Sequence, residues 1–264
     1  MRVRICSPRK ILQPCELRGY NFQIDPYIGC EHHCYYCYAL NQAETDWSQE
    51  ILVHQDFAGQ LVHELSALAP QPIYFGWYSD PYQPAETTHK QTRQALETLT
   101  AKGFSVCMLT KSGLVTRDID LLERMPGSSV GFSIAFHDDS IRMLFEANAP
   151  PNNHRVAALK TLKEAGIETY VLICPVLPFI TDLEACIKMV APYADTLWFY
   201  GLSISSEQER NWQYLCQILD RYYPDLAEKY HQMASSSDHP YWGDLRNNLK
   251  EIQASSGLDM RINL

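Results

Sequence analysis

Cys30-Glu-His-His-Cys34-Tyr-Tyr-Cys37 places three thiols within eight residues, spaced Cys-x3-Cys-x2-Cys. Zinc sites and ferredoxin-type clusters are usually closed by four protein ligands. Three cysteines on a 4Fe–4S cluster leave one iron without a protein ligand, open to a small molecule. The residues alone keep another reading open. Thiolates suit zinc as well as iron–sulfur clusters, and His32 or His33 would supply a fourth zinc ligand. The chain would then be a non-catalytic iron–sulfur or zinc module for redox sensing or partner binding. A disulfide fits less well. The cysteines number nine, an odd count, and no apolar N-terminal segment precedes them, so the expectation is a reducing compartment, the cytoplasm.

Outward from this loop, short apolar runs alternate with helical patterns. Asn21–Ile28 leads directly into the cysteines. Pro72–Tyr78, Phe104–Thr110, Ser129–Ala135, Glu168–Cys174 and Thr196–Leu202 are further strand candidates. Most are near-continuous apolar runs, as in parallel strands covered on both faces. Leu159, Leu162 and Ala165 share a helix face, and Gly166 stops that helix. Thr181-Asp-Leu-Glu184 and Ser206-Glu-Gln-Glu209 read as capping boxes. Strands alternating with helices predict an α/β fold with a parallel sheet. The expected organisation is a basic arm over residues 1–20, a core over 21–223 and a helical extension over 224–264. Within the extension, Ser235–Asp238 reads as a loop and Leu258–Leu264 as a short edge strand. Sites in parallel sheets lie at the C-terminal strand ends, where the cysteine loop falls.

Composition narrows the function. No apolar run approaches the roughly 18 residues that a membrane-spanning helix needs. Thirty-one acidic against 22 basic residues give a net charge of −9, which argues against gripping long duplex DNA by its phosphates. Arg2, Arg4, Arg9, Lys10 and Arg18 face only Glu16 in the first 18 residues. This basic segment reads either as a phosphate-contacting arm or as a solvated end.

The cysteine run resembles the signature of the radical S-adenosylmethionine (radical SAM) enzymes, CxxxCxΦC, with Tyr36 at the aromatic position Φ. The resemblance extends to Asp25-Pro-Tyr-Ile-Gly-Cys30, Ser79-Asp-Pro-Tyr-Gln-Pro-Ala-Glu86, Leu109-Thr-Lys-Ser112, Arg117-Asp-Ile-Asp-Leu121, Val130-Gly-Phe-Ser-Ile134 and Pro175-Val-Leu-Pro178. Together these blocks look like the spore-photoproduct-lyase-related branch of the family. The resemblance implies a partial (β/α)6 barrel with a small helical C-terminal extension. It implies a 4Fe–4S cluster held by Cys30, Cys34 and Cys37, with SAM on the open iron. It also implies reductive cleavage of SAM to a 5′-deoxyadenosyl radical, which abstracts hydrogen from a substrate. The reductant implied is a one-electron donor such as flavodoxin or ferredoxin. DNA photoproduct repair is the related activity to weigh. The lyase carries a hydrogen-returning cysteine soon after its second strand, where this chain reads Gly76-Trp-Tyr-Ser-Asp80. A nucleotide or a short single-stranded nucleic acid stays compatible as substrate.

The same resemblance carries SAM contacts onto Tyr36 and Tyr38 near the adenine and onto Ser79 and Asp80 near the amino group. Thr110 and Lys111 fall near the carboxylate, Ser133 near the ribose, and Pro175 and Val176 along the adenine. Tyr82, Gln83 and Glu86 read equally as base-stacking residues or as a packed loop. No catalytic residue beyond these is assigned. His137, Asp138 and Asp139 read as a helix N-cap sooner than as acid–base groups.

Overall fold

The computed structural model describes residues 1–7, 9–234 and 239–264. The loop expected at Ser235–Asp238 lies outside the described residues. The strands in chain order are β1 (Arg2–Cys6), β2 (Leu12–Pro14), β3 (Phe22–Ile24), β4 (Tyr27–Ile28), β5 (Glu50–His54), β6 (Pro72–Phe75), β7 (Ser105–Thr110), β8 (Ser129–Ser133), β9 (Glu168–Val176), β10 (Thr196–Gly201) and β11 (Asp259–Asn263). Helices connect most of the later strands, so the fold is α/β with a mostly parallel sheet. The chain divides into two compact units interleaved along the sequence. The first comprises Met1–His33, Ala43–Phe132 and Asn148–Thr169; the second comprises Cys34–Gln42, Ser133–Ala147 and Tyr170–Leu264.

In the first unit β3, β6, β7 and β8 pair in parallel, and β2 runs antiparallel beside β3. The register sets Ile24, Phe75, Met108 and Val130 in one cross-strand row. All four are fully buried, each worth about 1.5–3 kcal/mol relative to exposure. Ala95, Leu96 and Leu99 of the helix Gln91–Ala101 are buried as well. A smaller sheet has the order β1-β5-β4, with β1 parallel and β4 antiparallel to the central β5.

This small sheet differs from the sequence expectation. Asn21–Ile28 splits into β3 and β4, which belong to different sheets. The break falls at Asp25-Pro26, where proline has no N–H for a ladder. Arg2–Cys6, expected within a basic arm, is a strand. Arg2 and Arg4 both reach Glu50, at 3.6 and 3.2 Å, and Arg9 reaches Glu44 at 2.7 Å. The strand expected at Pro72–Tyr78 stops at Phe75 because Gly76 takes φ +88°, a left-handed turn that suits glycine.

In the second unit β9, β10 and β11 are parallel neighbours, and Val171, Leu197 and Met260 form a buried row. The strand expected at Leu258–Leu264 is thus present. A core of Phe136, Phe145, Trp212, Leu215, Leu219 and Tyr230 packs in the same unit. Both expected capping boxes start late. Asp182 caps the helix Leu183–Val190 by accepting from Ala185 N–H at 3.0 Å, while the Thr181 hydroxyl accepts from Leu177 N–H. The helix after Ser206 begins at Arg210. Among the described residues no helix is long and apolar enough to cross a membrane.

Candidate functional site

Polar groups at the strand ends of the first unit bond mainly to one another. Asp25, just past β3, accepts from the backbone N–H groups of Tyr78 and Ser79 at 2.7 and 2.9 Å, and from Gln23 Nε2 at 3.0 Å. Burial of its carboxyl still pushes it up to about 6 against those donors. Ser79 donates its hydroxyl to Tyr27 O at 2.8 Å.

Asp80 is more densely bound. Oδ1 accepts from Thr110 Oγ1 at 2.6 Å and Tyr82 N–H at 2.8 Å; Oδ2 accepts from Lys111 N–H at 2.7 Å. His32 Nε2 stands 3.2 Å from Oδ2, an ion-pair contact lying off the hydrogen-bonding line. Burial alone would raise this carboxyl, but His32, Thr110 and the Lys111 amide outweigh it and hold it at about 2.

Tyr82, Gln83 and Glu86 are buried to 1%, 0% and 0% exposure, so the packed-loop reading holds for them. The Tyr82 hydroxyl donates to Asp118 Oδ2 at 3.1 Å, and the Tyr27 hydroxyl donates to Glu86. Arg117 bridges the two buried carboxylates, 2.6 Å from Glu86 and 2.7 Å from Asp118. Gln83 places its amide against the backbone on both sides of Cys30: Nε2 donates to Gly29 O at 3.0 Å, and Oε1 accepts from Glu31 N–H at 2.8 Å. Sequence reasoning did not assign Gln83 this role. Its setting between Pro81 and Pro84 was the one available signal of a fixed loop.

Cys30 is buried and belongs to the first unit; Cys34 (buried) and Cys37 (half-buried) belong to the second. Two tight turns shape the loop, with His33 N–H on Cys30 O at 3.1 Å and Cys37 N–H on Cys34 O at 3.0 Å. Among the described residues no three His, Cys, Asp or Glu side chains stand together as a metal-ligating group. The fit to a cluster therefore rests on the donor set: three thiols from one short loop, none joined in a disulfide, of the softness iron–sulfur clusters take.

The remaining expected SAM contacts lie apart from these bonds. Tyr36 is buried, with its ring 6.4 Å from Phe136 and its hydroxyl donating to Glu146. Tyr38, at the exposed start of a 3-10 turn, and Ser133, buried at the end of β8, belong to the second unit, as do Pro175 and Val176, buried at the end of β9. Asp138 caps Asp139–Phe145 by accepting from Ser140 N–H at 2.6 Å, as the N-cap reading expects.

At the strand ends of the second unit is a cavity of about 590 Å³. Tyr200, Trp212, Tyr230, Trp242 and Arg246 are among its walls. The Tyr230 hydroxyl is fixed on Pro178 O at 2.7 Å, and Arg246 Nη1 on Leu264 O at 2.6 Å.

Known proteins align with this arrangement. The model of the radical SAM superfamily matches residues 24–189. An uncharacterized protein of Methanocaldococcus jannaschii is 30% identical over 224 residues, covering 83% of both chains. A radical SAM Nα-GlyT isomerase of Pseudomonas phage M6 is 26% identical over 59% of this chain and 33% of its own. Among solved structures, a spore photoproduct lyase variant with bound AdoMet and dinucleoside spore photoproduct is similar in fold, with TM-score 0.62 and 19% identity. That likeness covers 83% of this chain, which spans 65% of the lyase's length. The chain belongs to the radical SAM superfamily and is a radical SAM enzyme, whose cofactors are a 4Fe–4S cluster and SAM.

Proposed function

We propose that Cys30, Cys34 and Cys37 hold the cluster, and that the enzyme abstracts hydrogen from a substrate bearing a planar heteroaromatic group, a nucleotide or a short single-stranded nucleic acid. The observation that carries the first part is the Cys-x3-Cys-x2-Cys loop lying inside the residues that match the superfamily. When bound and reduced, the cluster supplies the electron that cleaves SAM.

The chain's own residues bind and orient. Lys111 pairs with the SAM carboxylate, and Ser133 donates to the ribose. The Tyr36 ring, Tyr38, Pro175 and Val176 line the adenine. The cavity walls support the substrate reading, because aromatic faces accept any base and Arg246 adds a cation. A small one-electron carrier such as flavodoxin or ferredoxin supplies the electron, and the thiol-rich chain suits the cytoplasm. Thymine-dimer repair is not the reading we favour, because Gly76–Asp80 contains no cysteine to return a hydrogen atom.

The test is anaerobic reconstitution with iron and sulfide, followed by dithionite and SAM. Formation of 5′-deoxyadenosine supports the proposal. A colourless protein holding one zinc overturns it. Single-stranded oligonucleotides and mononucleotides then probe the cavity, and Trp242→Ala should weaken their binding. Repair of a thymine-dimer oligonucleotide would restore the lyase reading.

A further inference from the structure

We propose that the loop Ser79–Glu86 is a clamp that fixes the first cluster cysteine, with Gln83 and Asp80 as its positioning residues. The inference rests on the reading of Cys30 as a cluster ligand.

Gln83 is fully buried, and its amide spans the residues flanking Cys30. The task needs one donor and one acceptor on a single planar group, which a glutamine amide provides and a carboxylate does not. Next to it, Glu31 accepts from Ala85 N–H at 2.5 Å, and Ser79 donates to Tyr27 O at 2.8 Å. Asp80 then holds His32, two residues beyond Cys30, at 3.2 Å. Residues 27, 29, 31 and 32 are thus each tied to the loop that follows β6.

Gly29 is held from another direction too. It takes φ +90°, and a Cβ there would meet the Trp47 ring at 3.1 Å. The backbone entering Cys30 therefore has little room to shift.

The same geometry redefines Asp80. A carboxylate has about four acceptor positions. Three hydrogen bonds, from the Thr110 hydroxyl, Tyr82 N–H and Lys111 N–H, engage both oxygens, and the His32 ring stands 3.2 Å from Oδ2. The Asp80 side chain is 7% exposed, so an ammonium group of SAM would have to displace the His32 ring or one of these donors to reach it. Asp80 therefore acts through His32 on the cysteine loop and not by touching SAM.

The experiment uses the reconstituted holoenzyme with Gln83→Met, Gln83→Glu and Asp80→Asn. Three quantities are read: the half-time of iron release to a chelator under argon, the EPR spectrum of the reduced cluster, and hydrogen exchange of the peptide 26–33. Supporting groups around metal ligands typically contribute about 10- to 100-fold in affinity. Gln83→Met should release iron at least about tenfold faster and exchange faster over 26–33, with the unfolding midpoint of the rest of the protein retained. If Gln83→Met does not fold, Gln83→Glu, which keeps the acceptor and loses the donor, should show the same loss in smaller degree. Asp80→Asn should change iron release and leave SAM affinity per loaded cluster unaltered.

Iron release, EPR and exchange all matching the parent enzyme in the Gln83 variants would overturn the clamp. Weakened SAM binding with an intact cluster in Asp80→Asn would overturn the assignment of Asp80. Iron retained in Cys30→Ala would overturn the ligand reading on which both rest, and exchange over 26–33 still reports the clamp in that case.

Discussion

Arg117 Nη2 lies 2.6 Å from Glu86 Oε1, and the Glu86 carboxylate is completely enclosed. The other donors to that carboxylate are the Tyr27 hydroxyl and the backbone N–H groups of Thr92 and Arg93. Among the described residues Arg117 is its one cationic partner. Removing one side of a buried ion pair leaves an uncompensated charge, at a cost of about 3–5 kcal/mol. Arg117→Met should therefore lose about that much in urea unfolding. The double variant Arg117→Met/Glu86→Gln should recover part of the loss. Equal stability of the single variant and the parent would show that the pair is dispensable.

Iron content should separate the cysteines into two classes. Cys30→Ala, Cys34→Ala and Cys37→Ala should each lose the brown cluster. Cys107→Ala, Cys174→Ala, Cys186→Ala and Cys216→Ala should each keep it. Burial pushes the Cys186 and Cys216 thiols up to about 12 and about 11, so neither readily supplies the thiolate a metal needs. Iron and sulfide analysis of the purified variants decides, and a requirement for any of the last four would refute the three-ligand assignment.

SAM affinity should fall in Lys111→Ala and Ser133→Ala while iron per chain stays constant. For Lys111 a bond to the charged carboxylate is worth roughly 1.5–3 kcal/mol, about ten- to a hundredfold in Kd, and for Ser133 a bond to the neutral ribose roughly 0.5–1.5 kcal/mol, about two- to tenfold. Equilibrium dialysis of radiolabelled SAM under anaerobic conditions gives both numbers on one sample. Unaltered affinity in both variants would remove these residues from the cofactor site.

His54 should give the fold a pH dependence. The residue is 6% exposed, and among the described residues its Nδ1 has no hydrogen-bond partner. Burial lowers it from 6.5 to about 4; Arg9 lowers it further, and Glu64 opposes. The folded state thus holds the neutral ring while the unfolded chain takes a proton more readily. The stability from the neutral ring is full above pH 6.5 and is lost as pH falls from 6.5 toward 4. The melting temperature should drop over that interval, and drop less in His54→Leu. Parallel melting curves at pH 7 and pH 5 for both proteins provide the comparison.

The cysteine loop and most of the parallel strands were legible because each is a local pattern. Cys30, Cys34 and Cys37 declare themselves by spacing, and Val106–Met108 or Val171–Ile173 by apolar, β-branched content. The small sheet was not legible. The partners of β1 lie in Glu50–His54, 48 residues away in register, and Ile51–Val53 is too short an apolar run to distinguish a strand from a buried helix turn. Asp80 shows a different limit. A conspicuous carboxylate at a strand end resembles a ligand contact, but its protein partners, the adjacent Thr110 and Lys111 and the His32 ring, come from two segments remote from it in sequence. Gln83 leaves almost no trace for the same reason, since a side chain that bonds backbone is matched to a shape and not to another residue type.

The pairing of β1 with β5 makes the first residues a lid on a sheet margin. The central β5 carries Ile51, Leu52 and Val53, all buried, and β1 occupies one of its two flanks. Trimming the chain to residue 19 would strip that flank and leave a row of unsatisfied amides and carbonyls over apolar side chains. Bare strand margins of this kind recruit other copies. A truncated protein would then be expected to self-associate, and a binding assay on it would report clumping before it reported a lost basic contact.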